Sequence, residues 1–467
     1  MTNAGVDEIT KRQERKLVTG AGGRARIGRK VLLVLPLLIG FSAISARGQE
    51  SAPPLRVTLH DAVQLALKQN PQVQIAVINV AESEQGRTIA RSELLPQAYL
   101  DVRDSAERLN IEASIGLKFA GFPEHVGPFQ VFQAGGNFSQ QIFDLTLWRR
   151  WQASRERVKG STAERQSVRE HTVLLVVSQY LGVLRAGAEV QAAKSRMDLA
   201  QALFSQASDM QKNGAGTSID TLRSNVELQN EKQRWINAQT RRQTALNGLA
   251  RLLNLDPHQP VELSDEMSFF ETPEFQESQT LEDAFKNRPE LKALEAQRHA
   301  LVDEKKAISE SRLPSVHFNG EYAQQGISSA TVIPTYIYTA SVDMPLFTSG
   351  RIHAETSQAD LEVQKIAQQI QEQKNRIALE VKNAMAELAS ARSEVDVANQ
   401  GVQLAQEEVN QARDRFQAGV ANNIEVVTAQ DALARASDNQ ISALYSYNQA
   451  RADLARALGQ MESIYSR

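Results

Sequence analysis

Asp220 and Glu425 are the two side chains whose positions suggest chemistry, because each follows a glycine-bearing turn. The turns read Gly214-Ala215-Gly216-Thr217-Ser218-Ile219-Asp220-Thr221-Leu222 and Gly419-Val420-Ala421-Asn422-Asn423-Ile424-Glu425-Val426-Val427. Glycine supplies the positive φ that ends one helix, and a carboxylate in the first turn of the next is favoured by its dipole. Capping and dipole chemistry accounts for both acids. No catalytic constellation accompanies them. The seven histidines are scattered, with no H-x-x-x-H spacing that would hold a metal. Cysteine is absent, which removes disulfides, thiolate metal sites, cysteine nucleophiles and the anchor of a lipoprotein. Gly20-Ala21-Gly22-Gly23 follows no strand and is no phosphate loop, and no serine sits in a G-x-S-x-G elbow. The expectation is a chain with no catalytic, cofactor-binding or metal site.

The turns must be held by long helices, and the sequence writes these twice. The second copy carries a seam of Val381, Ala384, Leu388, Ala391, Val395, Ala398, Val402, Ala405, Val409, Ala412 and Phe416, in steps that alternate three and four. The first copy reads Val183, Ala186, Val190, Ala193, Met197, Ala200, Phe204 and Ala207. A sustained 3/4 repeat keeps one apolar stripe against a partner helix, and alanine at every second position lets that partner come close. Each copy is expected as a helix of roughly 65 residues, about 100 Å long, that returns as one of roughly 38.

Ahead of each long helix the two copies open alike. Thr58-Leu59-His60-Asp61-Ala62 answers to Thr280-Leu281-Glu282-Asp283-Ala284, and a Thr with an acid three residues on predicts a helix start at both places. Asn70-Pro71 and Arg288-Pro289 punctuate these helices, which end at Leu95-Pro96 and Leu313-Pro314. The period then changes to two. Val316, Phe318 and Tyr322 alternate with His317, Asn319 and Glu321; Tyr336, Tyr338, Ala340 and Val342 alternate with Ile337, Thr339, Ser341 and Asp343. In the first half Phe132, Ala134 and Phe138 alternate with Gln133, Gly135, Asn137 and Ser139. Such strands, one face apolar and one polar, fit a transmembrane β-barrel or a half-buried soluble sheet. Tyr336, Tyr338, Trp148 and Trp151 near the strand ends favour the membrane, where such rings sit at the interface. In a barrel, Asp101, Arg103, Asn319, Glu321 and Asp343 would face the lumen as solvated lining.

The expected organisation is a signal peptide over 1–47, a first repeat over 48–256, a connecting segment over 257–279 and a second repeat over 280–467. The first repeat holds a helix, a β-hairpin at about 97–144 and a helical hairpin at about 147–255; the second holds the same parts at about 315–347 and about 350–460. The leader carries nine Lys/Arg against three acids, all but Arg47 ahead of the apolar run Val31–Ala43. That run is short for a span of about 20 residues and fits a secretory h-region, with an uncleaved anchor as the alternative. Beyond it the net charge is about −9, which disfavours nucleic acid as a partner. The fold class is mainly α with a small β part: duplicated long-helix coiled-coil hairpins plus two β-hairpins. Four strands cannot close a barrel, and open edges are not tolerated in a bilayer, so several chains would share one.

This layout resembles the TolC family of outer-membrane efflux channels over about residues 50–460, in both copies of the repeat. The most specific match is the first turn, where Gly214, Thr217, Asp220 and Leu222 resemble the family's G-x-x-T-x-x-D-V-L; the second copy keeps Gly419, Val420 and Glu425 and has Asn422 in place of the Thr. The resemblance implies a homotrimeric α-barrel continuous with a shared 12-stranded transmembrane β-barrel, four strands from each chain. It implies an outer-membrane exit duct with a periplasmic helical extension, exported by signal peptide and not lipidated. The implied partners are outer-membrane lipid, a periplasmic adaptor (membrane fusion) protein and an inner-membrane transporter. Gly214, Thr217, Leu222, Gly419 and Val420 would be the adaptor-docking tips, and Glu425 and Asp220 the aperture acids. Thr428 departs from members that carry a second acid there. The competing reading is a periplasmic coiled-coil scaffold or efflux adaptor without a barrel; two helical hairpins alternating with two β-hairpins, and no compact β domain, argue for the duct.

Overall fold

The structure, a computed structural model, describes residues 54–110, 113, 116, 121, 123, 125–214, 216–266, 277–418, 420 and 423–466. The leader expected over 1–47, and Gly419 of the second turn, lie outside the described residues. Strand β1 (Leu55–Val57) leads to helices α1 (Leu59–Gln69) and α2 (Pro71–Ser92), strands β2 (Gln97–Asn110) and β3 (His125–Phe143), and helices α3 (Leu145–Lys212) and α4 (Ser218–Leu252). After β4 (Val261–Leu263) the order recurs as α5 (Glu277–Asn287), α6 (Pro289–Glu310), β5 (Ser315–Gly326), β6 (Ile333–Asp343), α7 (Arg351–Gln417) and α8 (Asn423–Ala457), closed by a short α9 (Met461–Tyr465).

Local chemistry sets most boundaries. Thr58 caps α1 with a complete capping box: its hydroxyl accepts from the Asp61 amide, and the Asp61 carboxylate accepts from the Thr58 amide. The second copy differs from expectation, because α5 starts at Glu277 and Thr280 lies buried inside it. No Gly or Pro stands between Pro273 and Thr280, so nothing stops the helix from extending backwards. Asn70 ends α1 in an extended conformation and caps α2, whose first residue is Pro71. Helices α2 and α6 end at Ser92 and Glu310, a few residues ahead of the Leu-Pro pairs.

The long helices α3 and α7 run for 68 and 67 residues, and their return helices for 35 each. Their alanine seams are buried in part, with Val190, Met197, Phe204, Ala207, Ala398 and Val402 half-buried. Val183, Ala186, Ala193 and Ala200 line one hairpin, and Val381, Ala384, Leu388, Ala391, Val395, Ala405, Val409 and Ala412 the other. Helix α3 also packs against α2, α6 and α8, which joins the two halves.

Where the helices meet the chain ends, each return helix is closed by the residue preceding a proline. Asn70 Nδ2 donates to the Leu252 carbonyl at 2.8 Å at the end of α4. Arg288 Nη1 donates to the Arg456 carbonyl at 3.2 Å at the end of α8. Both satisfy carbonyls that a helix C-terminus leaves open. Arg288 is only 3% exposed and pairs with Glu290 at 3.2 Å and Glu380 at 2.7 Å; Arg456 also pairs with Glu290. Buried Glu170 of α3 accepts the Met461 amide at 2.8 Å and so closes the first turn of α9. The described part of the connection, up to Glu266, is stitched onto the first half. Strand β4 pairs with β1 in parallel, and Asp265 accepts from the Leu59 amide and the buried Tyr180 hydroxyl, both at 2.8 Å.

Strands β2, β3, β5 and β6 form one antiparallel sheet in that order. The two β-hairpins, one from each half, are joined through β3 and β5. Gly135 sits at this junction, where a Cβ would lie 2.5 Å from Ala323 Cα, so only glycine allows the strands to meet there.

Burial acts to raise the Glu290 carboxyl, but Arg456 and Arg288 beside it more than offset this and hold it at about 2, against an ordinary 4.5. A depressed carboxylate adds stability above its unfolded value and loses it as pH falls through the folded one, here between 4.5 and about 2. The shift is worth about 3 kcal/mol. Glu290→Gln is therefore expected to lower the thermal midpoint of the detergent-solubilised protein at pH 7 and to flatten its fall between pH 5 and pH 3. Parallel pH profiles for the variant and the parent would refute this role.

Candidate functional site

The sheet sorts its side chains by face. Residues directly opposite one another in an antiparallel pair share a face. Arg103 opposes Gln133, Asn137 opposes Glu321, Ser139 opposes Asn319, which opposes Thr339, and His317 opposes Ser341. Asp101 and Asp343 belong to the same face, so the five positions expected to line a lumen come together. They are cross-linked by Gln133–Glu321 and by His317 Nδ1–Asp343 Oδ2 at 3.1 Å. The other face carries Leu100, Val102, Phe138, Phe318, Tyr322, Tyr336, Tyr338 and Val342, set by the same register. Phe318 stacks on Tyr338 at 6.3 Å, and Tyr336 and Tyr338 lie 5.6 Å apart. Val342 is 68% exposed and Leu100 78%, an arrangement that water disfavours and a hydrocarbon environment suits. Trp148 and Trp151 lie in the first turns of α3, 4.9 Å apart, with the Arg155 guanidinium 5.3 Å from the Trp151 ring centre.

At the opposite ends of the long helices are the turns. Gly214 adopts φ +76°, the left-handed region that ends α3. Gly216 donates to the Met210 carbonyl at 3.0 Å, and a Cβ on it would meet Met210 Cβ at 3.0 Å. Thr217 caps α4, and its hydroxyl also bonds the Asp220 carboxylate, so Asp220 is held by its own cap. Across the hairpin, Thr221 Oγ1 donates to the Ala207 carbonyl at 3.3 Å. In the second turn Glu425 lies in the first turn of α8 and pairs with Arg415 of α7 at 2.8 Å. Arg415 was not singled out from the sequence, although a cation in the last turn of α7, mirroring an acid across a tight turn, was a legible signal. Ile219, Leu222, Val226, Val420 and Ile424 leave apolar side chains in the open around these turns.

One further contact is invisible to the sequence. Arg196 of α3 holds Asp438 of α8 through two bonds, at 3.1 and 3.2 Å, and so ties the first helical hairpin to the second. Only the fold brings these residues together.

A duplicated helical hairpin continuous with a two-faced antiparallel sheet defines a class of protein, the channel-forming ducts whose helices extend a membrane barrel. The chain belongs to that class by sequence as well: it is a member of the outer membrane efflux protein family, whose sequence model matches residues 62–255 and 280–460, one stretch in each half. It is 23% identical over 417 residues to the alkaline protease secretion protein AprF of Pseudomonas aeruginosa, covering 86% of this chain and 85% of that one. It is 22% identical over 421 residues to the pyoverdine export outer membrane protein OpmQ of Pseudomonas putida, with the same coverage. Among solved structures its fold is similar to the CmeC outer membrane channel of Campylobacter jejuni, with TM-score 0.74, 19% identity and coverage of 86% and 85%. It is also similar to VceC of Vibrio cholerae, with TM-score 0.73, 16% identity and coverage of 86% and 96%. Family membership assigns the chain to the outer membrane and makes it an efflux or secretion duct.

The first turn depends on its glycine and its cap. Gly214→Ala is expected to destabilise it by about 1 kcal/mol through the positive φ, and Thr217→Ala by a similar amount through the lost cap, about 1 kcal/mol. In limited proteolysis followed by mass spectrometry, both variants should be cut near residues 213–218 several times faster than the parent. Unchanged cleavage rates would show that the turn is held by something else.

Proposed function

We propose that the chain is the outer-membrane exit duct of a tripartite efflux or secretion system, a passive conduit from periplasm to exterior. The observation that carries this reading is the sheet: one polar face, one exposed apolar face, and outer strands β2 and β6 that pair with no further strand of the described residues. Unpaired backbone groups have no water in a bilayer, so the edges require other copies. Three chains closing a 12-stranded barrel by pairing β2 of one with β6 of the next meet that requirement. Within this reading the polar face lines the lumen, and the aromatic ring cluster sits at the lipid boundary. Cleavage of a leader over 1–47, repeats at 48–256 and 280–467, and the 257–279 connection belong to the same proposal.

A periplasmic adaptor and an inner-membrane transporter complete the system. The relatives named for alkaline protease secretion and pyoverdine export support this kind of work, and neither cargo is assigned to this chain. Gly214, Thr217, Leu222, Gly419 and Val420 form the docking tips for the adaptor; the open apolar side chains of Leu222 and Val420 support it. Glu425 and Asp220 are the aperture acids, and opening untwists the inner helices. The Arg415 partner of Glu425 moderates the charge that three copies would bring together, and Thr428 adds none.

The purified, detergent-extracted protein is expected to run as an SDS-resistant trimer and to give steady, small single-channel steps in a planar bilayer. Glu425→Ala should change both conductance and its sensitivity to divalent cations. A water-soluble monomer without conductance would discard the barrel.

A further inference from the structure

The four long helices stand in a row. Helix α4 packs along α3, α3 along α8 and α8 along α7, which leaves one flank of α4 and one of α7 at the two ends. Opposite the seam that it turns to α3, α4 carries a second stripe at steps of three and four: Leu222, Val226, Gln229, Gln233, Ile236 and Thr240. All six side chains are exposed and none is charged, although nine of the 35 residues of α4 are. Helix α7 repeats the pattern opposite its seam to α8, where Ala386, Ser390, Ser393, Val397, Gln400 and Leu404 are exposed and uncharged. Val397 is 70% exposed and Leu404 67%. The solvent face of a helix normally carries its charges, so an uncharged stripe at coiled-coil spacing is a face reserved for another helix. Its direction follows from its place: a stripe opposite the inner seam points along the row, to the next member, and to neither side of it.

The charges on the two helices are of opposite sign. Helix α4 carries six Lys or Arg against three acids, and α7 from Glu387 to Gln417 carries six acids against three Lys or Arg. Arg223 and Lys232 border the α4 stripe, and Asp396, Glu407 and Glu408 border or extend that of α7. None of these five has an ion-pair partner among the described residues. Counted from the tips, to within one turn, the stripes share an antiparallel register: Ile236 stands level with Val397, Gln233 with Gln400 and Gln229 with Leu404. The same register sets Arg223 within a turn of Glu407 and Glu408. The sheet has the same polarity, since its order β2-β3-β5-β6 also leaves a first-half element at one edge and a second-half element at the other. A head-to-tail ring of copies joins both kinds of edge with one rotation.

We propose that α4 of one chain packs antiparallel along α7 of the next copy through these uncharged stripes, with the α4 cations and the α7 acids closing over the sides of the seam. This rests on the oligomeric duct and extends it, because it names the helices and residues by which copies meet below the barrel.

The chain has no cysteine, so paired cysteines report the seam directly. Ile236→Cys with Val397→Cys, and Gln229→Cys with Leu404→Cys, are made in the full chain. The detergent-solubilised oligomers are treated with a short bismaleimide, which tolerates a slip of one turn, then heat-denatured and run on SDS gels. Both pairs are expected to give covalent multimers in most of the protein. Each single variant should run as a monomer, and so should Arg241→Cys with Val397→Cys, whose first cysteine lies on another exposed side of α4. Covalent multimers from Ile236→Cys or Val397→Cys alone would mean that like helix meets like helix, and would overturn the seam. Absence of cross-links from both pairs in a preparation that conducts and forms an SDS-resistant oligomer would also overturn it, and would leave the duct standing. A parent chain that is a non-conducting monomer removes the duct itself, and the seam with it.

Discussion

Close approach of very long helices is the constraint on which everything else rests. A helix of 68 residues can place its two ends to function only if it stays registered on its neighbours over its whole length. Dispersion contacts fall away within an ångström, so a seam of large side chains alone would hold the helices apart wherever packing is imperfect. Alternating Val or Leu with Ala lets knobs from one helix enter spaces on the next, and Val381, Ala384, Leu388, Ala391 and Val395 are all buried in this way. The repeat averages 3.5 residues against the 3.6 of a straight helix, so the pairs must coil to keep the seam closed. That coiling sets where the tips lie.

The two halves solve one problem with different chemistry. Each return helix needs its last carbonyls satisfied where it meets the residue before a proline. In the first half a neutral amide does this, Asn70 on Leu252; in the second a buried guanidinium does, Arg288 on Arg456. The charged solution brings obligations, because an unpaired buried charge is costly. Glu290 and Glu380 meet them. The geometry is shared by the two halves while the residues differ: an amide closes the first, and a guanidinium with its carboxylates closes the second.

At the far end the sheet unites the halves. Hairpins distant in sequence become neighbours through β3 and β5, and Gly135 permits the contact with Ala323. From that junction one register places Asn137, Asn319 and Glu321 on one face and Phe138, Phe318 and Tyr338 on the other. The helices and the sheet thus share a logic: a narrow stripe or a single face is reserved for a partner, and the rest is left to the surroundings.

Much of this was legible in the residues because it rests on local periodicity. The 3/4 seam, the period-two strands, the Leu-Pro stops and the Thr58 cap report backbone geometry within a few residues, and geometry of that kind is written directly in the chain. The first glycine turn with Asp220 beyond it was legible for the same reason, as was Glu425 in the first turn of α8. Thr280 shows the limit: an identical local phrase became the interior of a helix, since a helix start also depends on what lies upstream. The pairing of β4 with β1, the meeting of Arg196 with Asp438 and the Arg415–Glu425 pair belong to tertiary structure. Those contacts join residues that sequence spacing cannot relate, and they exist only once the seams have set two hairpins side by side. The sequence by itself determined the elements and their faces, because those follow from short-range sterics and hydrophobic period. Only the tertiary structure decided which charges meet, because electrostatic partners are chosen by distance in space.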